Sequence, residues 1–138
     1  MSKILVIEDD PNIVELLQVM LSELGHRVIA ASEVDQALAL AEHEKPDLIT
    51  LDFHLPAADG IEIRRLLRGI EGIAKTPIIF ISGGDPGEII TQMPTDPRVS
   101  FIAKPIDTDL LSRMVVELLG YQTPAPFNLP RLNDEPPA

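Results

Sequence analysis

The stretch Lys3-Ile4-Leu5-Val6-Ile7-Glu8-Asp9-Asp10-Pro11 decides the fold. Ile4 to Ile7 form an unbroken apolar run, the pattern of a strand covered on both faces. A strand over Lys3–Glu8 is therefore predicted. Asp10 then stands where a helix N-cap belongs, with Pro11 at the first helical position. Ile13, Leu16, Leu17, Met20, Leu21 and Leu24 follow at spacings of three and four, with Asn12, Glu15, Gln18, Ser22 and Glu23 on the opposite face. Gly25 ends that helix.

The same alternation repeats along the chain. Arg27–Ala31 reads as a second strand, and Ser32-Glu33-Val34-Asp35 opens a helix with a capping-box-like pattern. Its apolar stripe is Val34, Ala37, Leu38 and Ala41, and Pro46 marks its end. Asp47–Asp52 is a third strand, followed by a loop through Pro56 to Gly60 and a helix from Ile61 to Glu71. Pro77–Ser82 and Val99–Ala103 are the fourth and fifth strands. Asp107 caps a last helix carrying Leu110, Leu111, Met114, Val115, Leu118 and Leu119, with Gly120 just past its end. Repeated βα units with near-continuous apolar strands predict an α/β fold, a parallel sheet with helices on both faces. In such folds ligands bind beyond the carboxyl ends of the strands, where strand order reverses.

Composition narrows the function. At 138 residues the chain has room for one domain, and 45% apolar residues suffice for a core. A net charge of −11 argues against phosphate-neutralising nucleic-acid binding and against docking on an anionic membrane. The absence of cysteine excludes disulfides, thiol chemistry and Cys-ligated metals, and 4% aromatics argue against a base-stacking platform. Four apolar residues before Glu8 are too few for an export signal, so the expected location is the cytoplasm.

The strand ends carry residues that packing does not require. The first strand ends in Glu8-Asp9-Asp10, the third in Asp52 and the fourth in Ser82, while Lys104-Pro105 follows the fifth. Carboxylates gathered on one rim repel each other unless a cation intervenes, and hard oxygen ligands suit Mg²⁺, or Mn²⁺. A carboxylate nucleophile, a divalent ion, an ammonium and a hydroxyl together serve phosphoryl transfer.

Four stretches in order, Lys3–Pro11, Pro46–Gly60, Ile78–Gly83 and Phe101–Pro105, make residues 3–120 resemble the receiver domain of two-component response regulators, in particular single-domain, chemotaxis-regulator-like ones. The resemblance implies a flavodoxin-like, doubly wound, five-stranded parallel sheet of order 2-1-3-4-5. It makes Asp52 the phosphoacceptor, served by a histidine kinase or a histidine phosphotransfer protein. Asp9 would ligate Mg²⁺ directly and Glu8 through water, with Asp52 and the backbone carbonyl of His54 as further ligands. Lys104 and Ser82 would bind phosphoryl oxygens, and Phe101 occupies the position of an aromatic switch, although an aromatic in a strand also reads as plain core. Pro105 matches a proline that follows a cis peptide bond, and it is assigned a structural role together with Gly60 and the cap residue Asp10. His26 and His43 read as solvated surface residues.

The segment after the fourth strand departs from the family. Gly83-Gly84 replaces the usual small-residue pair, and Pro86, Pro94 and Pro97 leave space for only about two helical turns. A short or irregular fourth helix is expected there, which weakens the case for the family's usual dimer and leaves a homodimer open. Five of the 13 prolines fall between Pro124 and Pro137, so residues 121–138 read as a Pro-rich tail after a domain of residues 1–120. The tail is either a flexible extension or an arm whose Phe127, Leu129 and Leu132 dock on the body or a partner. The expected function is uptake of a phosphoryl group on Asp52, followed by relay of the phosphate or altered binding of a downstream target protein. The chain would be a signalling phosphoacceptor rather than an enzyme with a separate substrate. Alternatives are a receiver module of a larger transcriptional regulator or hybrid kinase and, less favoured, a Mg²⁺-dependent phosphatase. A phosphatase of the haloacid-dehalogenase type would need Asp-x-Asp after the first strand, which Glu8-Asp9-Asp10 does not supply. An FMN-binding flavodoxin would need a Ser/Thr-rich phosphate loop at the same place.

Overall fold

The computed structural model of the protein describes residues 2–84 and 98–122. Its elements in chain order are β1 (Lys3–Ile7), α1 (Pro11–Glu23), β2 (Arg27–Ala31), α2 (Val34–Glu44), β3 (Leu48–Asp52), α3 (Gly60–Arg68), β4 (Ile78–Ser82), β5 (Val99–Ala103) and α4 (Thr108–Gln122). The helix expected between β4 and β5, and residues 123–138, lie outside the described residues.

All strand pairs are parallel, and the sheet order is β2-β1-β3-β4-β5. Alternate residues of each strand feed two apolar layers. Leu5, Ile7, Ile49, Leu51, Ile78 and Phe80 face Ala37 and Ala41 of α2 and Ile63 and Leu67 of α3. Ile4, Val6, Leu48, Ile79, Ile81 and Ile102 face Leu17 and Leu21 of α1 and Leu111, Val115 and Leu118 of α4. This is the sheet covered on both sides that the uninterrupted apolar strands predict, each fully buried Leu or Ile contributing roughly 1.5–3 kcal/mol.

Three helices begin on aspartate caps at the same end of the sheet. Asp10 accepts a hydrogen bond from Asn12 N at 2.9 Å, Asp59 from Glu62 N at 2.9 Å, and Asp107 from Leu110 N at 3.1 Å. The capping box expected for α2 is corrected: its N-cap is Glu33, which makes no side-chain capping bond. Gln36 Oε1 instead accepts from Ser32 N at 3.1 Å, so only the returning half of a capping box is present, one residue displaced. The basic side chains of the opposite end tie the strand starts to the helix ends. Lys3 Nζ meets Glu44 Oε1 at 2.9 Å with Arg27 at 3.9 Å from the same oxygen, Lys45 donates to Glu71 O, and Arg68 donates to Thr76 O.

Two helix ends also differ from expectation. α3 stops at Arg68 rather than Glu71, because Gly69 N turns back to Leu66 O at 3.2 Å. α4 does not stop at Gly120 but runs through it to Gln122, two residues into the expected tail. Leu118, buried one turn earlier, anchors that end of the helix, and a single glycine costs a helix only about 1 kcal/mol. Among the described residues no helix is long and apolar enough to cross a membrane.

Candidate functional site

β1 and β3 lie side by side although β2 separates them in sequence, so the reversal of strand order falls between their C-terminal ends. Glu8 and Asp9 leave β1 there, and Asp52 is the last residue of β3. β4 adds Ser82 as its last residue, and Lys104 follows β5 directly. The sheet thus gathers five chemistry-bearing residues from four strands on one rim.

One carboxylate oxygen from each of Glu8, Asp9 and Asp52 lies within 4.8 Å of the other two. Glu8 and Asp52 are buried, at 2% and 4% exposure, whereas Asp9 faces solvent. Lys104 Nζ lies 3.5 Å from Glu8 Oε1 and 3.7 Å from Asp52 Oδ2. Its single positive charge does not balance three carboxylates. Burial, then the side-chain hydrogen bond and charge of Asp52, push the Glu8 carboxyl up to about 7, while the Asp10 N–H and Lys104 pull it down. Glu8 Oε2 accepts from Asp10 N at 3.2 Å, but Oε1 is buried with no hydrogen-bond partner. A buried, unsatisfied carboxylate oxygen next to two further carboxylates is a donor set that a hard divalent cation fits.

The remaining contacts fix the geometry. Asp52 Oδ1 accepts from His54 N at 3.0 Å, which locks the backbone just past β3 against the carboxylate. Phe53 N donates to Ile81 O at 3.0 Å, and Gly60 N donates to Phe53 O at 2.8 Å, closing the loop between β3 and α3. The Phe53 ring meets Phe80 and His54 edge-on, at 5.5 and 5.2 Å between centroids. Gly60 is glycine for space: a methyl group there would sit 2.8 Å from Phe53 Cδ1 and 2.9 Å from Phe80 Cε1. Ser82 is fully buried, its Oγ accepting from Gly84 N at 2.9 Å, and Lys104 N donates to Ser82 O at 2.8 Å. The Lys104–Pro105 peptide is cis.

The structure therefore brings together Glu8, Asp9, Asp52, Ser82 and Lys104. Asp10 stands beside them as a helix cap that also holds Glu8. Phe101 lies apart, half-buried in register with Phe80 and packed against the core under α2 and α3. His43 is exposed as expected, but His26 is half-buried with Nδ1 unpartnered, and burial lowers its pKa. Sequence reasoning missed the ion pair of Lys104 with both Glu8 and Asp52 and the close approach of His54 to Gly84. Neither has a local signal, because each joins separate strands.

The model of the response regulator receiver domain family matches residues 4–116. The alkaline phosphatase synthesis transcriptional regulatory protein PhoP of Bacillus subtilis is 54% identical over 83 residues, covering 60% of this chain and 34% of PhoP. The CAI-1 autoinducer sensor kinase/phosphatase CqsS of Vibrio cholerae is 31% identical over 82% of this chain, which spans only 17% of CqsS. Protein PilH of Pseudomonas aeruginosa is 27% identical over 87% of this chain and 99% of its own length. Among solved structures, the receiver domain of the sensor histidine kinase PA1611 from Pseudomonas aeruginosa, with a magnesium ion coordinated in its active-site cleft, is 30% identical at a TM-score of 0.74, covering 86% of this chain and 98% of that one. A two-component response regulator from Clostridium difficile shares the fold at a TM-score of 0.80. With its sheet order, its acidic rim and a family match that covers most of its length, this chain belongs to the response regulator receiver domain family.

Proposed function

We propose that the protein takes a phosphoryl group onto Asp52 from the phosphohistidine of a histidine kinase or a histidine phosphotransfer protein. The observation that carries this reading is the pair of buried carboxylates, Glu8 and Asp52, converging with Asp9 within 4.8 Å and opposed, among the described residues, by Lys104. An Asp52 carboxylate oxygen attacks phosphorus, the P–N bond breaks with its electron pair returning to the imidazole, and an acyl phosphate remains. Glu8, Asp9, Asp52 and the His54 backbone carbonyl would hold Mg²⁺, with Mn²⁺ as a substitute. Bound there, the ion would supply charge neutralisation for the phosphoryl oxygens.

Lys104, 3.7 Å from Asp52 Oδ2, pairs with the acceptor carboxylate and then with the phosphoryl group. Ser82 donates its hydroxyl to a phosphoryl oxygen, and Phe101 follows by turning further into the core, which changes the face around β5. Charged hydrogen bonds contribute roughly 1.5–3 kcal/mol each, so two or three approach the roughly 5.5 kcal/mol that a full population switch requires. The output is relay of the phosphate or altered affinity for a target protein. Among the relatives, the match takes in 99% of PilH but only 34% of PhoP and 17% of CqsS, so receivers of this kind stand alone in some proteins and form one part of longer ones in others. The chemistry at Asp52 is common to both.

Incubation with a small acyl phosphate and Mg²⁺ should add one phosphoryl group by intact mass, and Asp52→Asn should remove the adduct. An adduct of equal yield on Asp52→Asn refutes the acceptor assignment.

A further inference from the structure

A groove of about 300 Å³ opens at the rim and runs between α1 and the edge strand β2. Pro11, Val14, Glu15 and Gln18, spaced by three and four, form its α1 wall. That stripe covers about two helical turns, or about 10 Å of rise. Ala30 and Ala31 at the end of β2 form the floor, and their small side chains give the groove its depth. Gln36 of α2 closes the far side, its Oε1 held by the bond from Ser32 N at 3.1 Å. The volume is that of a site for a small molecule, at the lower end of the usual range.

The charges along this groove have one sign. Glu8 and Asp9 stand at its rim end and Glu15 further along α1, and no lysine or arginine is among the described residues that line it. Asp9 and Glu15 are exposed, whereas Glu8 is 2% exposed, with Oε1 buried and lacking a hydrogen-bond partner. Between the two acidic positions the surface is apolar, made by Val14, Ala30 and Ala31. A compact cation would meet one acidic position and leave the other unanswered. A chain of methylenes with an amine at each end meets both and covers the apolar stretch between them. We propose that the groove is a binding site for a linear aliphatic diamine or polyamine. One ammonium lies against Glu8 and Asp9 and the next against Glu15, with the methylenes on Val14, Ala30 and Ala31. The proposal goes beyond phosphoryl uptake and does not depend on it.

Glu8 and Asp9 also belong to the proposed metal set, so the experiment uses metal-free buffer of low ionic strength. Titration calorimetry of the full chain with putrescine measures the affinity, and amide NMR shifts place the ligand. Putrescine should bind several-fold more tightly than n-butylamine, which has the same carbon chain and one charge. Its shifts should concentrate at Ala30 and Ala31. Asp9→Asn and Glu15→Gln should each weaken it about fivefold, the upper end for one exposed ion pair. Glu42→Gln removes the same charge from an exposed position outside the groove and should leave the affinity unchanged. An equal loss in Glu42→Gln and Glu15→Gln would mean attraction to the net charge of −11 alone, and the proposal falls. It falls equally if putrescine does not bind, if butylamine binds as well, or if the shifts avoid Ala30 and Ala31. A blocked dilysine peptide presents the same two charges on a peptide chain. If it binds more tightly than putrescine and shifts the same amides, the occupant is a basic segment of a partner protein, which overturns the diamine assignment.

Discussion

At the scale of single residues, Glu8 ties folding to pH. Its carboxyl stands near 7 in the folded protein against an ordinary 4.5. Between those values the folded chain keeps a proton that the unfolded chain has lost. Its contribution to stability is therefore complete below about 4.5 and is lost as pH rises through about 7. His26 works in the opposite sense, since burial lowers its pKa and its contribution grows as pH rises through the ordinary histidine value of 6.5. The difference between wild type and Glu8→Gln isolates Glu8: in metal-free buffer the variant should gain on wild type steadily from pH 5 to 7.5. A constant gap in melting temperature across that range would count against the raised carboxyl. Millimolar Mg²⁺ should stabilise wild type at pH 7.5 more than the variant, because an ion held at the proposed metal site would bind the folded rim and not the unfolded chain. Thr50 offers a second test. Its Oγ1 is buried without a partner, in register between Val6 and Ile79, so Thr50→Val should raise the unfolding free energy by about 1 kcal/mol in urea titration. Identities at the site were legible from sequence because polar residues end apolar runs at Glu8, Asp52 and Ser82. Environments were not, because the cation that meets the buried Glu8 carboxylate is Lys104, 96 positions away.

At the scale of elements, the chemistry of the first turn decides how well each helix start can be read. Asp10 and Asp107 were legible as caps because a single side chain bonding two or three residues ahead defines the start. The α2 start was misplaced by one residue, since Ser32 and Glu33 both fit the pattern and only tertiary packing selects between them. The difference is measurable. Asp59→Ala removes a capping bond and should cost about 1 kcal/mol, whereas Glu33→Ala removes none and should leave stability nearly unchanged. The run of α4 through Gly120 shows the same limit, because glycine signals a stop only where packing does not hold the next turn. All five strands were found to within one residue, but their order came from the family resemblance. Apolar periodicity says that a strand is buried on both faces and nothing about which strand lies beside it.

At the scale of the molecule, both apolar layers close among residues 4–119. We propose that the folded unit ends with α4, so a chain terminated after Gln122 should melt within about 2 °C of the full-length protein, a shift that corresponds to less than 1 kcal/mol. A larger drop would mean that Phe127, Leu129 and Leu132 pack on the body. The aspartate caps have a consequence beyond the helices they start. Asp10, Asp59 and Asp107 crowd the end that already bears Glu8, Asp9 and Asp52, while Lys3, Arg27, Lys45 and Arg68 lie at the other. The reactive rim thus concentrates carboxylates beyond those that serve the site, and an approaching basic protein surface would be drawn toward that rim before contact. Encounter with such a partner should slow steeply as ionic strength rises, while the transfer step, once the two are docked, should not.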